Sequence, residues 1–156
     1  MGAQAASPCP QRALALRVVL DTNVLVSGLQ TPESPPGRLV RAWASGRFEL
    51  VTSEAQLTEL RQTLRYPKLR KRIPKHVAGT LINAIKAKAA FVKPSLPLIE
   101  LPDEDDRFIL GTAIAGKADL LVTGDRSHLL ALKKIGTTRI VDPKTAVQLL
   151  GVKGGR

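Results

Sequence analysis

RVVLD, residues 17–21, decides the fold. Val18, Val19 and Leu20 run without a polar interruption, and an unbroken apolar, β-branched stretch of this length suits a strand buried on both faces, as inside a parallel sheet. The strand ends at Asp21. TNVLVSGLQ, which follows, has the composition to start a helix, with Thr22 or Asn23 suited to cap it, and the proline-rich TPESPPG then breaks it.

Working outward, residues 37–45 read as a helix and FELVTS, residues 48–53, as a second strand. Thr52 or Ser53 is placed to cap a helix through AQLTELRQTLRY, which Pro67 stops. Leu57, Leu60 and Leu64 share that helix's apolar face, and Glu59 lies about a hundred degrees round from Leu60, outside the stripe. Residues 74–91 suggest a further helix, basic on one side, and LPLIEL, residues 96–101, a short strand. RFILGTAIAGKA has helical apolar spacing with Asp106 near its start; DLLVT, residues 119–123, is another buried strand, and TGDRSHLLALKK turns at Gly124 into a helix. RIVD, residues 139–142, is the last strand, and Pro143 opens the final helix.

Short apolar strands alternating with helices call for an α/β, three-layer sandwich around a central parallel sheet. The chain has 156 residues, the size of one domain, and its 44% hydrophobic content is enough for a core without staples. One domain is expected over residues 16–150, with flexible tails at 1–15 and 151–156.

Cys9 is the sole cysteine, which excludes an intramolecular disulfide and a cysteine metal cluster and favours a reducing, cytoplasmic setting. No stretch approaches the roughly 18 apolar residues of a membrane span. The net charge of +11 points to a polyanionic partner, nucleic acid foremost. Its distribution strengthens that expectation. Between Glu59 and Glu100 stand ten Lys or Arg and no acid, including Arg65, Lys68, Arg70, Lys71, Arg72 and Lys75; five acids then crowd into residues 100–106. Such an arm neutralises phosphates while an acidic knot holds cations. At 3%, aromatic residues are too scarce for base stacking and a recognition platform of stacked bases is not expected, so target choice should rest on shape, backbone and a few polar contacts.

In a parallel α/β sheet, ligands gather outside the carboxyl ends of the strands. Asp21 and Asp125 each follow a strand and so should emerge at one edge, with Asp106 brought there by the helix that precedes DLLVT and Glu59 by the helix after FELV. Carboxylates that converge without lysine partners repel one another unless divalent cations supply the opposing charge, and Mg²⁺ or Mn²⁺ suits an all-oxygen donor set. Each residue also has a plainer role open to it. Asp21 could be a helix cap, Asp125 a turn residue, Glu59 a solvated side chain, and residues 103–106 an acidic loop. Asp119 begins a strand at the opposite end and reads as structural; His76 and His128 have no assigned chemistry.

VVLDTNVLVSGL, SEAQLTELRQTL, PDEDDRFILGTA and ADLLVTGD resemble, in order, the successive motifs of the PIN-domain family, over roughly residues 17–145. The resemblance extends to the ribonuclease toxins of toxin–antitoxin pairs. It implies metal-dependent endonucleolytic cleavage of RNA, with Asp21 as the central metal ligand, Glu59, Asp106 and Asp125 as the other catalytic and metal-holding acids, and Asp105 in an outer shell. Thr22, Asn23 and Thr123 are implied as polar support, and a small antitoxin and a homodimer as protein partners. Many relatives carry another acid two residues after the last aspartate, where this chain has Ser127, which leaves the number of ions open. Two rivals remain: a noncatalytic RNA-binding module, and a haloacid-dehalogenase-type phosphatase, whose motif would need an acid where Asn23 stands.

Overall fold

A computed structural model describes residues 16–95, 101, 103–124 and 127–152 of the chain. The expected tail over 1–15 and most of the expected strand over 96–101 lie outside the described residues.

The chain runs β1 (Arg17–Leu20), α1 (Thr22–Gln30), α2 (Pro35–Ala44), β2 (Glu49–Thr52), α3 (Glu54–Leu64), α4 (Pro67–Arg70), α5 (Lys75–Lys88) and β3 (Ala90–Phe91). It continues through α6 (Glu104–Ala115), β4 (Leu120–Val122), α7 (Ser127–Leu132), β5 (Lys134–Ile135), β6 (Thr138–Val141) and α8 (Pro143–Leu150). The strands form one sheet of order β3-β2-β1-β4-β6-β5. Every pairing is parallel except β5 with β6. This is the three-layer α/β architecture with a central, mostly parallel sheet.

β1 lies between β2 and β4, which is why its apolar run is uninterrupted: Val18, Val19 and Leu20 are all fully buried. Alternation still sorts them between faces. Val18 and Leu20 join Leu50, Leu120 and Val122 beneath α1, α2, α3, α5 and α8, whereas Val19 joins Val51, Leu121 and Ile140 beneath α6 and α7. Burial of side chains this size contributes about 1.5–3 kcal/mol each. The alternation therefore ties both helical layers to one strand.

The order in which successive strands are added reverses at β1. β2 and β3 extend to one side and β4, β6 and β5 to the other. Such a switch point leaves a crevice beyond the strand ends. Leu20 pairs in register with Val122, so Asp21 and Thr123 leave the sheet side by side, and the Asp21 amide donates to the Val122 carbonyl at 3.0 Å.

Several boundaries differ from expectation for local reasons. α2 begins at Pro35, whose fixed φ suits a first helical turn, with Ser34 accepting from the Gly37 amide at 3.3 Å. Pro67 does more than stop α3: it starts the one-turn α4. The helix expected over 74–91 ends at Lys88; Ala89 turns extended, and Ala90–Phe91 pairs with Val51–Thr52. The sheet edge captures those last residues. The helix expected over 123–134 stops at Leu132, Lys133 takes a left-handed φ of 61°, and a two-residue turn with Gly136 at φ 57° joins β5 to β6. No helix among the described residues is long and apolar enough to cross a membrane.

Candidate active site

Asp21 stands where β1 passes into α1, and its carbonyl accepts from the Val24 and Leu25 amides at 2.9 and 3.2 Å. By position it is the N-cap residue, one place before the Thr22 or Asn23 expected for that role. Its carboxylate makes no capping bond. Instead Oδ2 accepts the Thr123 hydroxyl at 2.8 Å, and both side chains are buried. An aspartate in this position ordinarily turns to the free helix amides. Here a hydroxyl from the neighbouring strand turns it toward the sheet edge.

Glu59 is half-buried, and its Oε1 accepts the Thr22 hydroxyl at 2.8 Å. Thr22 thus lies within the first turn of α1 and fixes an acid carried by α3. Asn23, the other residue expected to give polar support, is exposed. The helix bearing Glu59 is itself held at its start. Ser53 Oγ accepts the Gln56 amide at 3.2 Å, Gln56 Nε2 donates to the Leu20 carbonyl at 2.6 Å, and the Thr52 hydroxyl donates to Gln56 Oε1 at 2.8 Å. One buried amide therefore joins α3 to the ends of both β1 and β2. Gln56 stands outside the residues expected to form the site. Its signal was its place on the Leu60–Leu64 stripe at helical spacing, where a polar side chain must be buried and bonded.

Asp106 lies in the first turn of α6, which packs on β1, β2 and β4, and it is 3% exposed. Asp103 caps the helix, its Oδ1 accepting the Asp105 amide at 2.9 Å. Glu104, Asp105 and Asp106 all sit at the positive end of the helix dipole, which favours their charge. Asp105 is exposed.

A cavity of about 450 Å³ opens above the strand ends between α3 and α6. Asp21, Ser53, Gln56, Glu59 and Asp105 line it, together with Tyr66 and Phe108. Asp106, buried in the first turn of α6, is not on its lining. Asp125 lies outside the described residues. The donors gathered here are oxygens throughout, the chemistry that a hard divalent cation takes. Among the described residues, no three His, Cys, Asp or Glu side chains are grouped closely enough to enclose an ion.

The six basic residues expected to contact nucleic acid are exposed along the end of α3, α4 and the start of α5. Arg65, Arg70 and Lys75, with Arg61, edge a second cavity of about 470 Å³ whose floor includes Leu64 and Ile73. Lys68, Lys71 and Arg72 flank it in sequence. Asp119 lies at the other end of the sheet, where its Oδ2 accepts the Arg17 amide at 2.8 Å, a structural bond. His76 and His128 are exposed and line neither cavity.

The sequence profile of the PIN domain matches residues 17–127. An uncharacterized protein of the archaeon Methanocaldococcus jannaschii is 28% identical over 121 residues, 77% of each chain. No solved structure gives a significant match.

Proposed function

This chain belongs to the PIN-domain family, and from that premise we propose that it is a metal-dependent endoribonuclease, with Asp21, Glu59, Asp106 and Asp125 as its catalytic acids. The observation that carries the proposal is the Asp21 carboxylate. It is buried, withdrawn from helix capping, held by Thr123, and set on the wall of an open cavity beside Glu59. Burying an ionised group costs several kcal/mol unless partners offset it, so a carboxylate kept in such a place points to use.

Asp21, Asp106, Asp125 and Glu59 would hold Mg²⁺ or Mn²⁺, with Asp105 acting from further out. When bound, a divalent cation activates water and stabilises the charge that develops on the phosphate. The protein's own part is positioning. Thr123 orients Asp21, Thr22 orients Glu59, and Gln56 keeps the start of α3 fastened to the sheet. Arg65, Lys68, Arg70, Lys71, Arg72 and Lys75 would neutralise backbone phosphates on either side of the scissile bond.

The test is cleavage of single-stranded RNA by purified protein with Mg²⁺ or Mn²⁺, repeated with EDTA and with Asp21→Asn. Cutting that needs the metal and Asp21 is expected; RNA that is bound yet uncut under either metal supports the noncatalytic module instead. We further propose that the enzyme is a cytoplasmic toxin, acts as a homodimer and is restrained by a small antitoxin. The support is the likeness of the chain's four motifs to those of the family's toxins. Expression should arrest growth and Asp106→Asn should relieve the arrest; harmless expression of active enzyme overturns this role.

A further inference from the structure

Three phenylalanines, one tyrosine and one tryptophan are the whole aromatic content of the chain, and they are unevenly used. Trp43 and Phe48 are buried in the core, and Phe91 is half-buried against it. The other two do not serve packing. Tyr66 is 60% exposed and Phe108 46% exposed, and both line the cavity that holds Asp21 and Glu59. Single exposed rings are ordinary on a protein surface, but two from distant chain segments on the wall of one polar cavity are a pattern.

The backbone that carries each ring is held in place. The Tyr66 amide donates to the Thr63 carbonyl at 3.1 Å, and the Tyr66 carbonyl accepts the Leu69 and Arg70 amides at 2.9 and 3.0 Å, so the residue is fixed at the junction of α3 and α4. Phe108 lies in the second turn of α6, where its carbonyl also accepts the Thr112 hydroxyl at 2.9 Å. A ring on a held backbone loses little freedom when a flat ligand stacks on it. Its face attracts any nucleobase, because every base has a π-face.

We propose that Tyr66 and Phe108 form a stacking site for one unpaired nucleobase of single-stranded RNA, seating the adjoining phosphodiester against Asp21 and Glu59. The proposal rests on the ribonuclease reading and names the form of its substrate. A base within a duplex has its faces covered by its neighbours and has no ring to offer; an unstacked one does. Lys68 and Arg70 stand two and four residues after Tyr66, on the helix that it caps, and so offer positive charge to the backbone that leaves the stacked base. Gln62 and Thr63, on the same wall, present hydrogen-bonding groups to a base edge.

The test is binding of short single-stranded RNAs in EDTA, where nothing is cut, with 2-aminopurine placed at successive positions. Stacking quenches that base, so quenching at one position is expected. Combined Tyr66→Ala and Phe108→Ala should abolish the quench and weaken binding about tenfold or more, while Tyr66→Phe keeps both. An abasic nucleotide at the quenched position should weaken binding to the unaltered protein by a similar factor and leave the double variant unaffected. Tight binding with no quenched position, indifferent to abasic sites, overturns the stacking site; metal-dependent cleavage by the same protein would then leave the ribonuclease reading standing. Unaltered protein that neither binds nor cuts RNA overturns both.

Discussion

The Thr123 hydroxyl meets the Asp21 carboxylate at 2.8 Å across 102 residues of chain, joining the ends of two adjacent parallel strands. Thr123→Val keeps the volume and removes the donor. Partners of this kind typically change metal affinity or activity by about 10–100-fold. Cleavage should therefore fall at least about tenfold at low Mg²⁺ and recover in part at high Mg²⁺, read from initial rates against metal concentration. Asp21→Asn still accepts from Thr123, so it should fold normally by thermal melting and cleave nothing.

Gln56 bridges the Leu20 carbonyl and the Thr52 hydroxyl inside the fold. Gln56→Ala removes both bonds at once, and a buried polar group left without its partner costs about 1–3 kcal/mol. Urea denaturation should show a loss of at least about 2 kcal/mol. Gln56→Glu should be no better, because a carboxylate cannot donate to the Leu20 carbonyl.

Adjacent acids in α6 should behave differently. Asp106 is buried, whereas Asp105 is exposed on the cavity wall. Asp106→Asn should abolish cleavage, and Asp105→Asn should slow it only several-fold. Single-turnover rates at saturating metal distinguish them; equal losses would move Asp105 into the role assigned to its neighbour.

Asp142 caps α8, its Oδ1 accepting the Thr145 amide at 2.8 Å. Bonds from the Thr145 side chain and amide hold its carboxyl below the usual aspartate range, with Lys144 adding to the effect. A depressed carboxyl contributes stability that is present above its unfolded value and lost as pH falls through the folded one. Asp142→Ala should thus cost about 1 kcal/mol at neutral pH, the typical worth of such a cap, and progressively less in strong acid. Paired thermal melts from neutral pH down to strong acid check the convergence.

What could be seen in the sequence was whatever a local pattern encodes. RVVL announces a strand covered on both faces because its residues are apolar without a break, and Ser53 announces the start of α3 because capping needs only a few neighbouring residues. Family motifs added the order of the four acids. β3 was hidden because two residues carry no period of their own, and pairing with Val51 and Thr52 decides their state. The β5–β6 hairpin was hidden behind a helical-looking run that ends only where Lys133 turns left-handed. Capping by Asp21 was likewise undecidable locally, since the competing hydroxyl belongs to a residue far along the chain. Tyr66 and Phe108 were obscured by averaging: a low aromatic percentage is silent on whether the few rings present share a wall.

Of the described strands β1 is made before the others and sits inside the sheet, yet one of its two flanking strands, β4, is made late. A nascent chain released before residue 123 has no hydroxyl to steady Asp21 and exposes one side of its central strand to water. A chain cut short there thus lacks both the partner that orients Asp21 and the strand that closes the sheet on that side of β1.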